Sequence, residues 1–202
     1  MTDVSHSVRL GASRYHPWSE YGWRKCLRCQ VAPTGLKNAA SSGYNVPADR
    51  IDTVSSGSAV GQGIYKIINV QNGLELEVNS ASLADGGTVD AYADLSGVNN
   101  EHWNLMAVGD GSCRIVNVNS GLDLEVSGAS KSNGGTVDQW EDSGSGATNE
   151  HWSLVAIGDG SYRIVNANSG LDLEVNGTTG VVDQWQDVSG ARNEHWTLTM
   201  TN

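Results

Sequence analysis

Three stretches of this chain spell nearly the same thing. KIINVQNGLELEV runs from Lys66 to Val78, RIVNVNSGLDLEV from Arg114 to Val126, and RIVNANSGLDLEV from Arg163 to Val175. Each leads through a Gly-rich interval to an Asp-x-aromatic step and then to the tetrapeptide NEHW, which ends at Trp103, Trp152 and Trp196. A unit that recurs every ~45 to 50 residues is too short to bury its own apolar face. The three copies must therefore pack on one another.

Residues 63–202 are enough chain to bury about two-thirds of their unfolded surface, so a core can form without disulfide staples. The three cysteines, Cys26, Cys29 and Cys113, make no framework in any case. Cys113 stands where the other copies have Tyr65 and Tyr162, which reads as a core filler. Charge splits the chain in two. Residues 1–62 hold seven basic and four acidic residues, a net +3, whereas residues 63–202 hold five basic against nineteen acidic, a net −14. So acidic a surface repels phosphate backbones and anionic headgroups, which excludes nucleic acid and membrane surfaces as partners of the repeats. It also suits a high-salt setting, where self-repulsion is screened.

Residues 1–62 keep no sustained period and end in a segment rich in Gly, Ser, Ala and Pro, so they read as a disordered or linker-like extension. Within them Cys26 and Cys29 form a lone CxxC with His16 as the nearest further ligand, one pair short of a zinc site. Nothing in the first 30 residues supplies the apolar run of a signal peptide, and no stretch approaches a membrane span.

From Gly63 the pattern is one of short strands punctuated by turns, which predicts an all-β fold. In the second copy Cys113, Ile115 and Asn117 alternate with Arg114 and Val116, a turn follows at Asn119–Gly121, and Leu122, Leu124 and Val126 alternate with Asp123 and Glu125. The reading is a hairpin with an apolar inner face. A short strand, Thr136 to Trp140, and a last one, Trp152 to Ile157, complete the unit. Four strands in each of three repeats, 63–111, 112–160 and 161–202, make twelve.

Three four-stranded units, each with an LEV strand, a V-x-x-aromatic step and a terminal element like Q-x-W, resemble the ricin B-type β-trefoil lectins, also classed as carbohydrate-binding module family 13. The resemblance covers essentially residues 63–202. It departs from the family where Glu101, Glu150 and Glu194 replace the Gln of Q-x-W, and where Glu replaces the usual Asp on the second strand. It implies a β-trefoil whose Trp103, Trp152 and Trp196 are core residues, and an extracellular setting.

It also implies one shallow sugar site in each copy. Carried over, the first would be Glu77, Asp90, Tyr92, Asn100 and Glu101; the second Glu125, Asp138, Trp140, Asn149 and Glu150; the third Glu174, Asp183, Trp185, Asn193 and Glu194. The chemistry suits a pyranose, whose C–H face lies on a flat ring while its hydroxyls meet acceptors and donors at the rim. The expectation is non-catalytic binding of an oligo- or polysaccharide by a monomer, without cofactor or metal, as an accessory module of a glycoside hydrolase. The alternative is a protein-binding or inhibitor-type trefoil. A glycosidase would need one acid pair set apart in a deep cleft, whereas every pair here recurs threefold. The histidines of NEHW, His102, His151 and His195, read as exposed structural residues, one on each unit.

Many family members place a disulfide where this chain has acids: Glu75 with Asp94, Asp123 with Asp142, Asp172 with Asp187. Two carboxylates ~5 Å apart repel by about 3 kcal/mol at an effective dielectric of 20. The sequence leaves the offset open among high salt, a raised pKa, a bridging water and a hard cation.

Overall fold

A computed structural model describes residues 60–144, 146–177 and 180–201. The expected linker at 1–62 and its CxxC lie outside the described residues, apart from residues 60–62. Among the described residues there are twelve strands: β1 Gly63–Asn69, β2 Glu75–Val78, β3 Gly87–Tyr92, β4 His102–Ala107, β5 Cys113–Asn117, β6 Asp123–Val126, β7 Gly135–Trp140, β8 His151–Ala156, β9 Tyr162–Asn166, β10 Asp172–Val175, β11 Val182–Trp185 and β12 His195–Met200. No helix among them is long and apolar enough to cross a membrane.

Six strands close a ring of antiparallel pairs, β1–β4–β5–β8–β9–β12 and back to β1. The other six form three hairpins, β2–β3, β6–β7 and β10–β11, that meet one another over one end of the ring. Closing the ring removes the exposed edges that an open sheet of this size would present. The hairpins differ from the sequence expectation. β6 pairs with β7 over four residues but touches β5 through one pair, Val116 with Asp123. Chain reversal at Asn119–Gly121 leads out of the ring and into the cap, so the turn joins two layers instead of two partners. Because a cap strand is covered on both sides, Asp123 and Glu125 are as buried as Leu124 and Val126.

The core repeats as the chain does. Trp103, Trp152 and Trp196 are fully buried with Ile67, Ile115 and Ile164 and with Leu76, Leu124 and Leu173. Each indole N–H donates to the carbonyl of Leu76, Leu124 or Leu173 at 2.8 Å, which ties a ring strand to the cap above it. A buried indole needs such a partner, since an orphaned donor costs about 1 to 3 kcal/mol. Cys113 is buried in the same core, as expected.

Buried glutamines join neighbouring copies. Gln139 donates to the carbonyls of Ser82 and Ala84 and accepts from the Ser120 hydroxyl. Gln184 does the same with Ser130, Ser132 and Ser169. Gly87 and Gly135 sit against these amides, where a Cβ would come within 2.7 and 2.6 Å of the glutamine nitrogen. At the junction of the third and first copies the corresponding residue is Ala91, whose backbone N–H donates to Gly180.

Candidate functional site

Strand period and register place the acids and the rings together. Alternate residues of a strand share a face. In the β2–β3 hairpin Glu77 lies directly opposite Asp90 and Glu75 opposite Tyr92, so all four side chains share one face. The same holds for Glu125 with Asp138 and Asp123 with Trp140, and for Glu174 with Asp183 and Asp172 with Trp185. Three copies of an acid pair result, buried in the second and third and with Asp90 half-buried in the first, each beside an aromatic ring that stays open to solvent: Tyr92 is 54% exposed, Trp140 42% and Trp185 36%.

A 3-10 turn before each closing strand brings in the Asn of NEHW. Asn100, Asn149 and Asn193 donate to Glu77, Glu125 and Glu174 at 3.1, 2.7 and 2.7 Å, and also to the carbonyl of the following valine. Their own carbonyls are held by Asn117, Asn166 and Asn69 of the next copy around the ring. Burial, and next the Asp across the hairpin, pushes the carboxyls of Glu77, Glu125 and Glu174 up to about 7. One oxygen of each of Asp90, Asp138 and Asp183 is buried without a donor. The proton on the facing Glu is the group that can satisfy it.

The structure splits the expected five-residue sets. Glu, Asp, Asn and ring share one spot, whereas Glu101, Glu150 and Glu194 are fully buried and take backbone N–H groups of Leu95, Ser143 and Val188. Their carboxylates group with the pairs at the would-be disulfide positions: Glu75, Asp94 and Glu101; Asp123, Asp142 and Glu150; Asp172, Asp187 and Glu194, each trio within 4.8 Å.

Those pairs are not left to repel. Lys66 bridges Glu75 and Asp94 at 3.0 and 2.8 Å, Arg114 bridges Asp123 and Asp142, and Arg163 bridges Asp172 and Asp187. The offset that the sequence left open is a cation from the ring strand below. These basic residues also lie directly across from the NEHW histidines, Lys66 from His102, Arg114 from His151 and Arg163 from His195. Covered by that long neighbour, His151 is 3% exposed and the other two are half-buried, so the expectation of exposed histidines is corrected.

Sequence reasoning also missed how the rings are seated. Gly86 of the first copy packs under Trp140, and Gly134 of the second under Trp185, each with its would-be Cβ at 3.6 or 3.7 Å from the ring. Asp85 and Asn133 accept the backbone N–H of Glu141 and Gln186, just past each Trp. The second and third sites are therefore built across a junction between copies. The signal available was positional, since a Gly-Gly pair precedes the third strand in the first two copies but not in the third.

A family model described as "Ricin-type beta-trefoil lectin domain-like" matches residues 50–140, 99–180 and 148–202. Among solved structures, the designed threefold-symmetric protein ThreeFoil is 38% identical with a TM-score of 0.64, over 69% of this chain and 99% of that one. An exo-β-1,3-galactanase from Clostridium thermocellum is 34% identical with a TM-score of 0.64, over 69% of this chain but 30% of the galactanase. The Polyporus squamosus lectin shares the fold at 23% identity and a TM-score of 0.58, over 71% of this chain and 50% of that one. No curated protein sequence matches the chain. Domains of this family are carbohydrate binders and as a rule non-catalytic, and where a neighbour is an enzyme the matching part is a fraction of its length. By the three overlapping matches and the threefold architecture beneath them, the chain belongs to the ricin-type β-trefoil lectin-domain-like family.

Proposed function

We propose that residues 63–202 bind carbohydrate without catalysis, through up to three shallow sites related by the threefold repeat. What supports this reading is the recurrence, in every copy, of a solvent-open ring beside a Glu–Asp pair whose buried Glu is fixed by an Asn. Each feature has a structural explanation alone, but a core has no use for an exposed indole seated on glycine. The working residues are Glu77, Asp90, Tyr92 and Asn100; Glu125, Asp138, Trp140 and Asn149; Glu174, Asp183, Trp185 and Asn193. Glu101, Glu150 and Glu194 act behind them, holding the loop that follows each ring. The match to part of a galactanase supports service as an accessory module of a glycoside hydrolase. Near equivalence of the copies disfavours a protein-inhibitor role, which calls for one distinctive loop.

Indole offers a larger stacking face than phenol, so the sites at Trp140 and Trp185 bind more tightly than that at Tyr92. The Trp140→Ala, Trp185→Ala double variant should lower polysaccharide binding more than tenfold through lost multivalency. Monosaccharide stoichiometry should fall from three to one, leaving the weaker affinity of the Tyr92 site. Pull-down on insoluble polysaccharides and titration with monosaccharides measure the two effects. Undiminished polymer retention by the double variant would remove these sites from consideration.

A further inference from the structure

The structure contains two sets of three acidic clusters, one strand-repeat apart on the same hairpins. The first set, at Glu75, Asp123 and Asp172, carries its own cation, Lys66, Arg114 or Arg163. The second set, Glu77–Asp90, Glu125–Asp138 and Glu174–Asp183, has none. Its hydrogen-bond donors are neutral: Asn100, Asn149 and Asn193 on the Glu, and Asn79, Ser127 and Asn176 on the Asp. The other charged groups that face it, Glu101, Glu150 and Glu194, are acids too. Glu125, Asp138, Glu174 and Asp183 are each under one-tenth exposed, and an oxygen of each Asp lacks a donor. Among the described residues these pairs therefore hold negative charge in poor solvent with no counter-charge, and they do so beside an aromatic face that is left open.

A neutral sugar hydroxyl laid over such a pair donates a hydrogen bond to one carboxylate but brings no counter-charge. A ligand that brings an ammonium group compensates it, and the adjoining indole attracts the same charge through its π face. The net −14 of the repeats adds long-range attraction for a cationic chain. We propose that the three Glu–Asp pairs recognise the protonated amine of an amino sugar, so that the ligand of these sites is a glycan with free 2-amino-2-deoxyhexose residues. The proposal rests on the carbohydrate reading above and names its substrate class. The ammonium takes the place of the proton shared by Glu and Asp: it donates to both carboxylates while the C–H face of the same ring lies on Trp140, Trp185 or Tyr92. The shared proton leaves to solvent as the amine enters. With the Glu carboxyls at about 7, an amine that arrives protonated should displace a fraction of a proton from each occupied site at pH 7, less the fraction that unprotonated amine takes up to bind as ammonium.

Isothermal titration of the full chain with a glucosamine trimer, its fully N-acetylated counterpart and a β-1,3-linked galactose trimer tests this. The free-amine trimer should bind at least tenfold more tightly than the acetylated one, and the measured heat should shift between phosphate and Tris buffers by the net proton released. Glu125→Gln with Glu174→Gln should reduce that preference below threefold, whereas Glu141→Gln, which removes an exposed charge beside the second site, should leave it intact. Free lysine at matched concentration should not compete. Equal or tighter binding of the acetylated or galactose trimer overturns the amino-sugar inference and leaves the carbohydrate reading standing; failure of all three to bind removes both. A preference that persists in the double Gln variant, or competition by lysine, shows attraction to any cation and overturns the inference as well. Should the Gln variant not melt cooperatively, a preference of the unsubstituted chain for the free-amine trimer below threefold overturns it by itself.

Discussion

The melting temperature is expected to fall by about 10 °C between pH 5 and pH 8. Glu77, Glu125 and Glu174 sit at about 7 in the fold against 4.5 for an unperturbed Glu, and Asp172 at about 6 against 3.8. A carboxyl whose pKa is raised on folding contributes its stability fully below the unfolded value and loses it as pH climbs through the folded one. The window is thus 4.5 to 7 for the three Glu and 3.8 to 6 for Asp172. Asp110 and Asp159, held low by the Ser112 and Ser161 hydroxyls, work in the opposite sense but below about pH 4. Each Glu–Asp pair lies near the surface, so its share is discounted for screening to about 1 kcal/mol, which gives about 3 kcal/mol for three. A domain of this size loses roughly 3 to 4 °C for each kcal/mol. Calorimetric melts at fixed ionic strength measure the slope. Glu125→Gln with Glu174→Gln should remove most of it, and a flat profile in the unsubstituted protein would contradict the shared proton.

Arg163→Met is expected to destabilise the fold by about 3 kcal/mol at pH 7.5. Asp172 is fully buried and receives two hydrogen bonds from that guanidinium, which also reaches Asp187. Removing one partner of a buried pair strands the other, typically at 3 to 5 kcal/mol, and the partial exposure of Arg163 places this case at the low end. Asp172 then escapes the cost by taking a proton, so the deficit should shrink below pH 6. Added salt screens the exposed Asp187 but cannot reach Asp172, so high ionic strength should recover less than half of the loss. Urea unfolding across pH and salt separates these parts. A deficit under 1 kcal/mol at pH 7.5 would mean that something besides arginine keeps the three carboxylates together.

The bridging cation was within reach of the sequence. Lys66, Arg114 and Arg163 each precede the acid that they bind by nine residues, in every copy, but a spacing of nine spans no element whose geometry predicts contact. Strand existence was legible because alternation and turn residues are local, and the Trp core because it recurs. Pairing was not. That β6 meets β5 only at Val116 with Asp123 and runs beside β7 for its whole length depends on the closure of the ring, and closure is set by contacts between copies that no single repeat contains. The same limit applies to the site. Glu77, Asp90 and Tyr92 lie on one hairpin and could be grouped by period alone, whereas Gly86 beneath Trp140 and Asn117 behind Asn100 arrive from neighbouring units. Glu101 came into the expected set as a polar residue just before the terminal Trp, carried over from the resemblance; the 3-10 turn that presents Asn100 to Glu77 leaves Glu101 buried against the Leu95 N–H.

The Ala91 junction gives the three copies different lifetimes. Gln139 and Gln184 each fasten one hairpin of the cap to the next with two side-chain hydrogen bonds, and β3–β7 and β7–β11 add two residue pairs apiece. Among the described residues, the cap is joined where the third copy meets the first through the bridge of Asp90 with Val181, the bond from Ala91 to Gly180 and the bond from the Gln71 amide to Gly177, and alanine has no amide to offer. Openings that break fewer bonds occur more often. On the clock of amide exchange, Ala91 should therefore trade its hydrogen ahead of its counterparts Gln139 and Gln184, through excursions that leave the ring shut. Asp90 is itself part of that bridge, so each excursion unseats the acid pair beside Tyr92 while the other two pairs stay in place. The three candidate sites should therefore open at unequal rates, the first most often.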